Sequence, residues 1–283
     1  MWKLVGLAGT LDESGEGYEP SPFSKMLAVS SMSDYKVEDF GAKYKGDKKV
    51  LVVCTEIKYM VMENGKKFSS GNHPVELIQP VLHLTNAGFD FDVATPTGKP
   101  AMIEEWALPL KDKTILDAYN NVFKPKLDAP LSLADIMAGK EALESYVLVF
   151  LPGGQGAMLG LPEDKSLEKL ILHFKDEDKH VMSVCHGPAS FLAAKTDPHP
   201  FAGYKIACFP DSGDKISPSV GYMPGKQTWY YGEKLIEKGV EIINKDPDDN
   251  MSEDRKLITG ASPKACQRIG VTAAKALLAQ YAW

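Results

Sequence analysis

The chain has 283 residues, 44% hydrophobic and 25% charged, the make-up of a folded globule large enough for one α/β domain with insertions. Its net charge of −6, with no basic run, argues against a nucleic-acid or anionic-membrane surface, and no apolar stretch is long enough to span a bilayer. Cys54, Cys185, Cys208 and Cys266 are scattered without a CxxC pair, which excludes a zinc module or disulfide scaffold and implies a reducing, cytoplasmic setting.

In chain order, the start is briefly apolar, but Asp12 and Glu13 follow too soon for a signal peptide. Residues 9 to 48 are rich in Ser, Gly, Pro and charge, so residues 1–45 read as an extended arm ahead of a catalytic domain spanning 46–283. Lys49 to Cys54 is a continuous apolar run, expected of a strand buried on both faces. A helix follows, capped by His73 or Asn72, with Pro74 at its first position and Glu76 in its first turn. Val75, Ile78, Val81 and Leu82 recur at helical spacing, and Gly88 stops the run. Phe89 to Ala94 is the next strand, which completes a βαβ unit.

Residues 96 to 145 break the rhythm with Pro96, Pro100, Pro109, Pro125 and Pro130, and read as a small inserted cap. The rhythm resumes with a strand at Tyr146–Leu151, a helix at Ser166–Lys175 and a strand at Val181–Val184, followed by a helical stretch from Ala189 to Lys195. A strand is expected at Tyr204–Phe209, an irregular loop at 210–224 and a helix at Gly225–Lys238. Val240–Ile243 and Lys256–Thr259 are late strands, and Ser262 caps a final helix that begins with Pro263 and reaches Ala282. Strands alternating with helices give an α/β fold with a mostly parallel sheet covered on both faces.

The most informative segment is Val181-Met-Ser-Val-Cys-His-Gly-Pro188, which places Cys185 in the turn between a strand end and a helix start. Helix N–H groups there stabilise a thiolate, so the Cys185 pKa is expected to fall. Ligands of open α/β sheets bind beyond the carboxyl ends of the strands. Glu76, Gly153-Gly154 and Cys185 all follow such ends. Gly153 and Gly154 offer backbone N–H groups to an oxyanion, with the His186 N–H as a further donor. His186 needs a carboxylate to fix its tautomer; Asp214 is the candidate and Asp211 its competitor. Glu76 beside a thiol gives two acids that cannot both ionise easily, an arrangement suited to carbonyl chemistry. The remaining histidines show no metal-ligand spacing. Cys54, Cys208, Cys266, Trp106 and Trp229 are expected to pack rather than react.

The segments Phe68–Glu76, Val149–Gly154, Val184–Pro188, Phe209–Asp214, Gly221–Gly225 and Asp254–Gly260 resemble, in the same order, those of the HchA-type heat-shock proteins, the long branch of the PfpI-like superfamily. The resemblance runs from about residue 45 to the C-terminus. It implies a flavodoxin-like sandwich with a small cap, a homodimer, a Cys185 nucleophile with Glu76 as its acid partner, and a Cys185–His186–Asp214 triad. It also implies conversion of small aldehydes (methylglyoxal, glyoxal) to hydroxy acids without glutathione, deglycation of modified groups, and holding of unfolded protein clients. No redox cofactor is implied. Family members can bind a metal through a His at the position of Thr85 with an acid shortly after; Thr85 replaces that His while Asp90 remains, so no metal is expected. The competing readings are a cysteine peptidase or amidase built on the same triad, which a bulky cap over the site disfavours, and a non-catalytic stress holdase. A glutaminase is disfavoured because no His follows His199.

Overall fold

The computed structural model describes residues 8–139 and 143–282. The apolar start, residues 1–7, and residues 140–142 of the expected cap lie outside the described residues.

The N-terminal segment forms β1 (Thr10–Leu11), β2 (Tyr18–Glu19) and α1 (Pro22–Ala28). The first long strand is β3 (Lys49–Val53), followed by β4 (Tyr59–Val61), β5 (Lys67–Ser69), α2 (Pro74–Asn86) and β6 (Asp90–Thr95). Next come α3 (Lys113–Ala118), α4 (Lys124–Asp128), β7 (Leu131–Ser132) and α5 (Leu133–Ala138). The central strands β8 (Tyr146–Leu151) and β9 (His180–Val184) flank α6 (Lys165–Asp176). The chain closes with β10 (Lys205–Ile206), α7 (Asp211–Ile216), α8 (Tyr231–Glu237), β11 (Glu241–Ile242), β12 (Met251–Asp254), β13 (Leu257–Gly260) and α9 (Cys266–Tyr281).

Seven strands form the main sheet in the order β12-β13-β9-β8-β3-β6-β7. Every neighbouring pair is parallel except β12–β13, which is antiparallel. Strand alternation explains why β3 reads as a continuous apolar run: Val50 and Val52 enter the core under α2 and α9, while Leu51 and Val53 enter the core under α6. On α6, Leu167, Leu170, Ile171 and Phe174 recur at three- and four-residue steps and are fully buried. Each such side chain contributes about 1.5–3 kcal/mol of burial. The fold is thus a flavodoxin-like sandwich, with helices on both faces of a largely parallel sheet.

The structure departs from the sequence reading in several elements. The arm is not merely extended: β1 and β2 join β5 and β4 in a second, four-stranded sheet. The 96–145 insertion does not sit over the site as a unit. Its β7 extends the main sheet beside β6, and Ile115, Phe123 and Leu127 pack into the core below α2. Residues 204–209 shorten to β10, which pairs only with β11, outside the main sheet. The 210–224 segment is not all loop, because α7 occupies its first part; the helix expected at 225–238 shrinks to α8. The edge strand β12 has no counterpart among the expected elements, since its sequence Met-Ser-Glu-Asp lacks an apolar run.

Candidate active site

The carboxyl ends of β13, β9, β8 and β3 stand side by side, and the residues leaving them build one buried site. Cys185 leaves β9 at a φ of 56°, a left-handed conformation uncommon for a residue with a side chain. Its backbone bonds hold it there. Its N–H donates to the Gly260 carbonyl at 2.8 Å, and its own carbonyl accepts from the Phe209 N–H and the Tyr231 hydroxyl, each at 3.0 Å. This strained elbow aims the thiol away from the sheet, leaving the residue only 5% exposed.

His186 follows directly. Its Nδ1 lies 3.2 Å from the Cys185 Sγ, and its Nε2 lies 3.0 Å from Asp214 Oδ2. The carboxylate accepts only if Nε2 carries the hydrogen, so Nδ1 is left to accept from the thiol. The ring stacks on Phe209 at 4.7 Å between centroids, which fixes its plane. Burial alone would push the imidazole pKa down, but Asp214 raises it on balance. Asp211, the competitor, turns to α8 instead, where its oxygens accept the Gly232 and Glu233 N–H groups. The two acids lie three residues apart in α7, yet only Asp214 reaches the imidazole.

Glu76 sits in the first turn of α2, fully buried. Neither of its carboxyl oxygens has a well-formed hydrogen bond among the described residues. Burial raises its pKa from 4.5 to about 7, opposed by the nearby thiol, His186 and the Gly154 N–H. The carboxyl packs directly over Gly153: a Cβ there would lie 2.0 Å from Glu76 Oε2 and 2.8 Å from the Cys185 Cβ. Gly154, at a φ of +97°, lets the loop after β8 press against the loop before α2, where a Cβ would meet the Gly71 carbonyl at 2.4 Å. The His73 N–H donates to the Gly153 carbonyl at 2.9 Å and locks these two loops together. His73 stands at the N-cap of α2, but neither it nor Asn72 caps by side chain. The Asn72 amide instead donates to the Met102 carbonyl at 2.8 Å and its carbonyl oxygen accepts the Thr55 N–H at 3.3 Å.

One expectation is reversed. The Cys185 thiol is pushed well above its ordinary range, by burial first and by Glu76 second. The helix that follows is a single irregular stretch of tight turns, Gly187–Ala193, and its N–H groups do not outweigh desolvation and a facing carboxyl. Thiol and carboxyl therefore compete, and ionisation of either opposes ionisation of the other.

A cavity of about 240 Å³ opens onto these groups. Ala28 of α1, Phe209, Ile216, Val220 and Pro263 give it an apolar wall, while Cys185, His186 and Glu76 line its chemical end. Glu104 and Tyr222, to which the sequence reading gives no role, also line it, as does His73, read there only as a helix cap. Burial lowers the His73 pKa to about 4, so its ring is neutral at neutral pH. Glu104 lies in the insertion, drawn to the site by a backbone bridge between Asn72 and Ile103. The only sequence signal for it is the acid pair Glu104-Glu105 between Met102-Ile103 and Trp106, which does not say which of the two turns inward. The Thr85 hydroxyl donates to the Leu82 carbonyl, and His83 Nε2 bonds Gln267. Among the described residues no three His, Cys, Asp or Glu side chains converge on one point.

A buried thiol on a strained strand-to-helix elbow, backed by an imidazole–carboxylate pair and faced by a second carboxyl, defines a cysteine-centred α/β sandwich. The chain belongs to the DJ-1/PfpI family, whose pattern matches residues 68–276. It is 42% identical over 263 residues to proteins named protein/nucleic acid deglycase HchA from Escherichia coli O157:H7 and from Escherichia coli strain K12 / DH10B, a match covering 93% of each chain. Among solved structures it is similar to glyoxalase III from Candida albicans, with a TM-score of 0.62 and 25% identity over 80% of this chain and 97% of that one. The Rapid Encystment Protein of Francisella tularensis shares the fold, with a TM-score of 0.68 at 18% identity, over 81% of this chain and 99% of that one.

Proposed function

We propose that this protein is a glutathione-independent glyoxalase, a lyase-type enzyme that converts methylglyoxal to lactate through a Cys185 adduct. The observation that carries the reading is the Cys185 Sγ at 3.2 Å from His186 Nδ1, with the raised Glu76 carboxyl packed across Gly153 from it. The relatives named as deglycases and the neighbour named glyoxalase III support it.

Glu76 starts protonated, which lifts the charge that disfavours a thiolate. His186 takes the thiol proton at Nδ1, and the resulting imidazolium is held by Asp214. The sulfur adds to the aldehyde carbon C1, and the carbonyl π pair becomes an alkoxide. The His186 N–H has no acceptor among the described residues and, with the Gly154 N–H, is a donor for that oxyanion. The alkoxide takes the Glu76 proton and gives a hemithioacetal. Glu76, now a carboxylate, removes the C1 hydrogen as a proton, and the electron pair left behind forms the C1–C2 double bond of an enediolate. Return of that proton to C2 and loss of the C1 hydroxyl proton to the C2 oxygen leave a lactoyl thioester. Water, deprotonated by the Glu76 carboxylate, adds to the thioester carbonyl, and the His186 imidazolium protonates the departing sulfur, so lactate and the thiol are released and both groups return to their starting states. One carbon is oxidised as its neighbour is reduced, so no external redox partner enters.

Deglycation uses the same opening step. The apolar wall of the cavity exceeds what a three-carbon ketoaldehyde fills, which supports hemiaminal or hemithioacetal adducts as additional substrates. A thiol only 5% exposed at the end of a 240 Å³ cavity does not accommodate an extended polypeptide, which weighs against the peptidase reading. A client-holding role has its own support, the exposed Met26 and Leu27 on α1 at 71% and 66%. It predicts unchanged suppression of client aggregation by Cys185→Ala. The enzymatic reading is tested by rapid quenching with methylglyoxal and intact-protein mass spectrometry. A methylglyoxal-mass adduct on the wild type and none on Cys185→Ala is expected; equal adducts on both contradict it.

A further inference from the structure

Glu104 is a second buried carboxyl in the site, and nothing among the described residues uses half of it. The residue is 1% exposed and lines the same cavity as Cys185 and Glu76. Its Oε1 accepts from the Gln155 N–H at 3.2 Å and from the Ser70 hydroxyl at 3.3 Å. Its Oε2 is buried without a partner among the described residues. A buried polar atom left unpaired costs about 1–3 kcal/mol, so its persistence beside a cavity points to a ligand atom.

The backbone around Glu104 is fixed rather than slack. The Asn72 N–H donates to the Met102 carbonyl at 2.7 Å, and the Glu104 N–H donates to the Asn72 carbonyl at 3.1 Å. The Trp106 indole N–H donates to the Ser69 carbonyl at 2.9 Å. This clamp ties Glu104 to the loop that leads into Glu76, so the two carboxyls are held in one register. Burial and the facing Glu76 both push the Glu104 pKa well up, and the two hydrogen bonds to Oε1 do not offset them. In its neutral form the acid carries its proton on Oε2, because Oε1 already serves two donors.

We propose that Glu104 is a neutral hydrogen-bond donor to the C2 oxygen of the bound ketoaldehyde, fixing its orientation and stabilising the enediolate. The inference rests on the proposed glyoxalase reaction. In that reaction the charge that Glu76 creates at C1 and C2 settles on the C2 oxygen, and among the described residues no other unpaired buried acid lines the cavity beyond Glu76 itself. Glu104 transfers no proton; it donates one hydrogen bond that shortens as charge develops.

The test compares wild type, Glu104→Gln and Glu104→Leu for lactate formation from methylglyoxal and for alkylation of Cys185 by iodoacetamide. Removing a donor from developing negative charge costs about 10²–10³-fold in kcat. Glu104→Leu is expected to lose kcat on that scale, while Glu104→Gln, which keeps an N–H donor, stays within about tenfold of wild type. Alkylation presents no C2 oxygen, so its rate at neutral pH is expected to be unchanged in Glu104→Gln. Wild-type kcat in Glu104→Leu overturns the proposal. Equal loss in the two variants also overturns it, by showing that the acid moves protons rather than donating a hydrogen bond. Glu104→Gln keeps shape and polarity, so its folding is read by circular dichroism alongside. A wild type that makes no lactate refutes the proposed function and the Glu104 role with it; an active wild type with an indifferent Glu104→Leu refutes the Glu104 role alone.

Discussion

Replacing Glu76 by glutamine should make the protein more stable at alkaline pH while removing its activity. Glu76 has its carboxyl raised from 4.5 to about 7 by burial. Below pH 4.5 it is protonated in both the folded and unfolded chain and costs nothing. Between 4.5 and about 7 the unfolded chain releases the proton and the folded chain keeps it, so stability falls across that window. Above about pH 7 the deficit is constant. At ~1.36 kcal/mol per pH unit the total is about 3 kcal/mol. A glutamine side chain has no such titration, and the thiol lies above the window, so the wild-type-minus-variant difference reports this carboxyl together with its coupling to Glu104 and His186. Denaturant midpoints measured from about pH 4.5 to about pH 8 should show Glu76→Gln gaining about 3 kcal/mol on wild type between the ends of the range. A difference that is flat with pH would refute the reasoning, because it would mean that the buried carboxyl titrates normally. The variant's kcat should fall, since an amide cannot shuttle a proton between C1 and C2.

The same variant should lower the pH midpoint of Cys185 alkylation, because Glu76 is the largest charge opposing the thiolate; an unmoved midpoint would decouple the pair. Asp214→Asn should reduce kcat about 10²–10⁴-fold with little change in fold, since the amide no longer holds the imidazolium that Cys185 creates. Steady-state kinetics with wild-type activity would remove Asp214 from the site. Gly153→Ala should lose activity and about 1–3 kcal/mol of stability, because its methyl group meets Glu76 Oε2 at 2.0 Å; unchanged unfolding midpoints would contradict that packing.

Much of this site is legible in the sequence because strand ends are. Apolar runs such as Lys49–Val53 and Tyr146–Leu151 mark buried parallel strands, and whatever follows them must gather at one sheet edge. That logic brings Glu76, Gly153, Gly154 and Cys185 together without a contact map. Asp214 is named ahead of Asp211 in the sequence, but what separates them is α7, a helix with no apolar stripe in Asp211–Ile216 to reveal which acid faces His186. Glu104 is hidden for a different reason. It reaches the site through side-chain bonds of Asn72 and one backbone bridge, and neither leaves a periodic trace. The thiol pKa runs opposite to expectation because local helix logic counts N–H groups, whereas the folded site adds near-complete burial and a facing carboxyl. The edge strand β12 and the second sheet that gathers the N-terminal strands stay invisible because strands of two to four residues carry too few side chains to show alternation.

The central claim is that Cys185 adds to a small ketoaldehyde and that Glu76 moves its proton. The most direct measurement is lactate released from methylglyoxal by purified protein without glutathione, beside Cys185→Ala purified in parallel. The account predicts stoichiometry of one lactate per methylglyoxal consumed by the wild type and no turnover by the variant. Undiminished lactate from Cys185→Ala, or methylglyoxal consumed by the wild type without lactate, would contradict it.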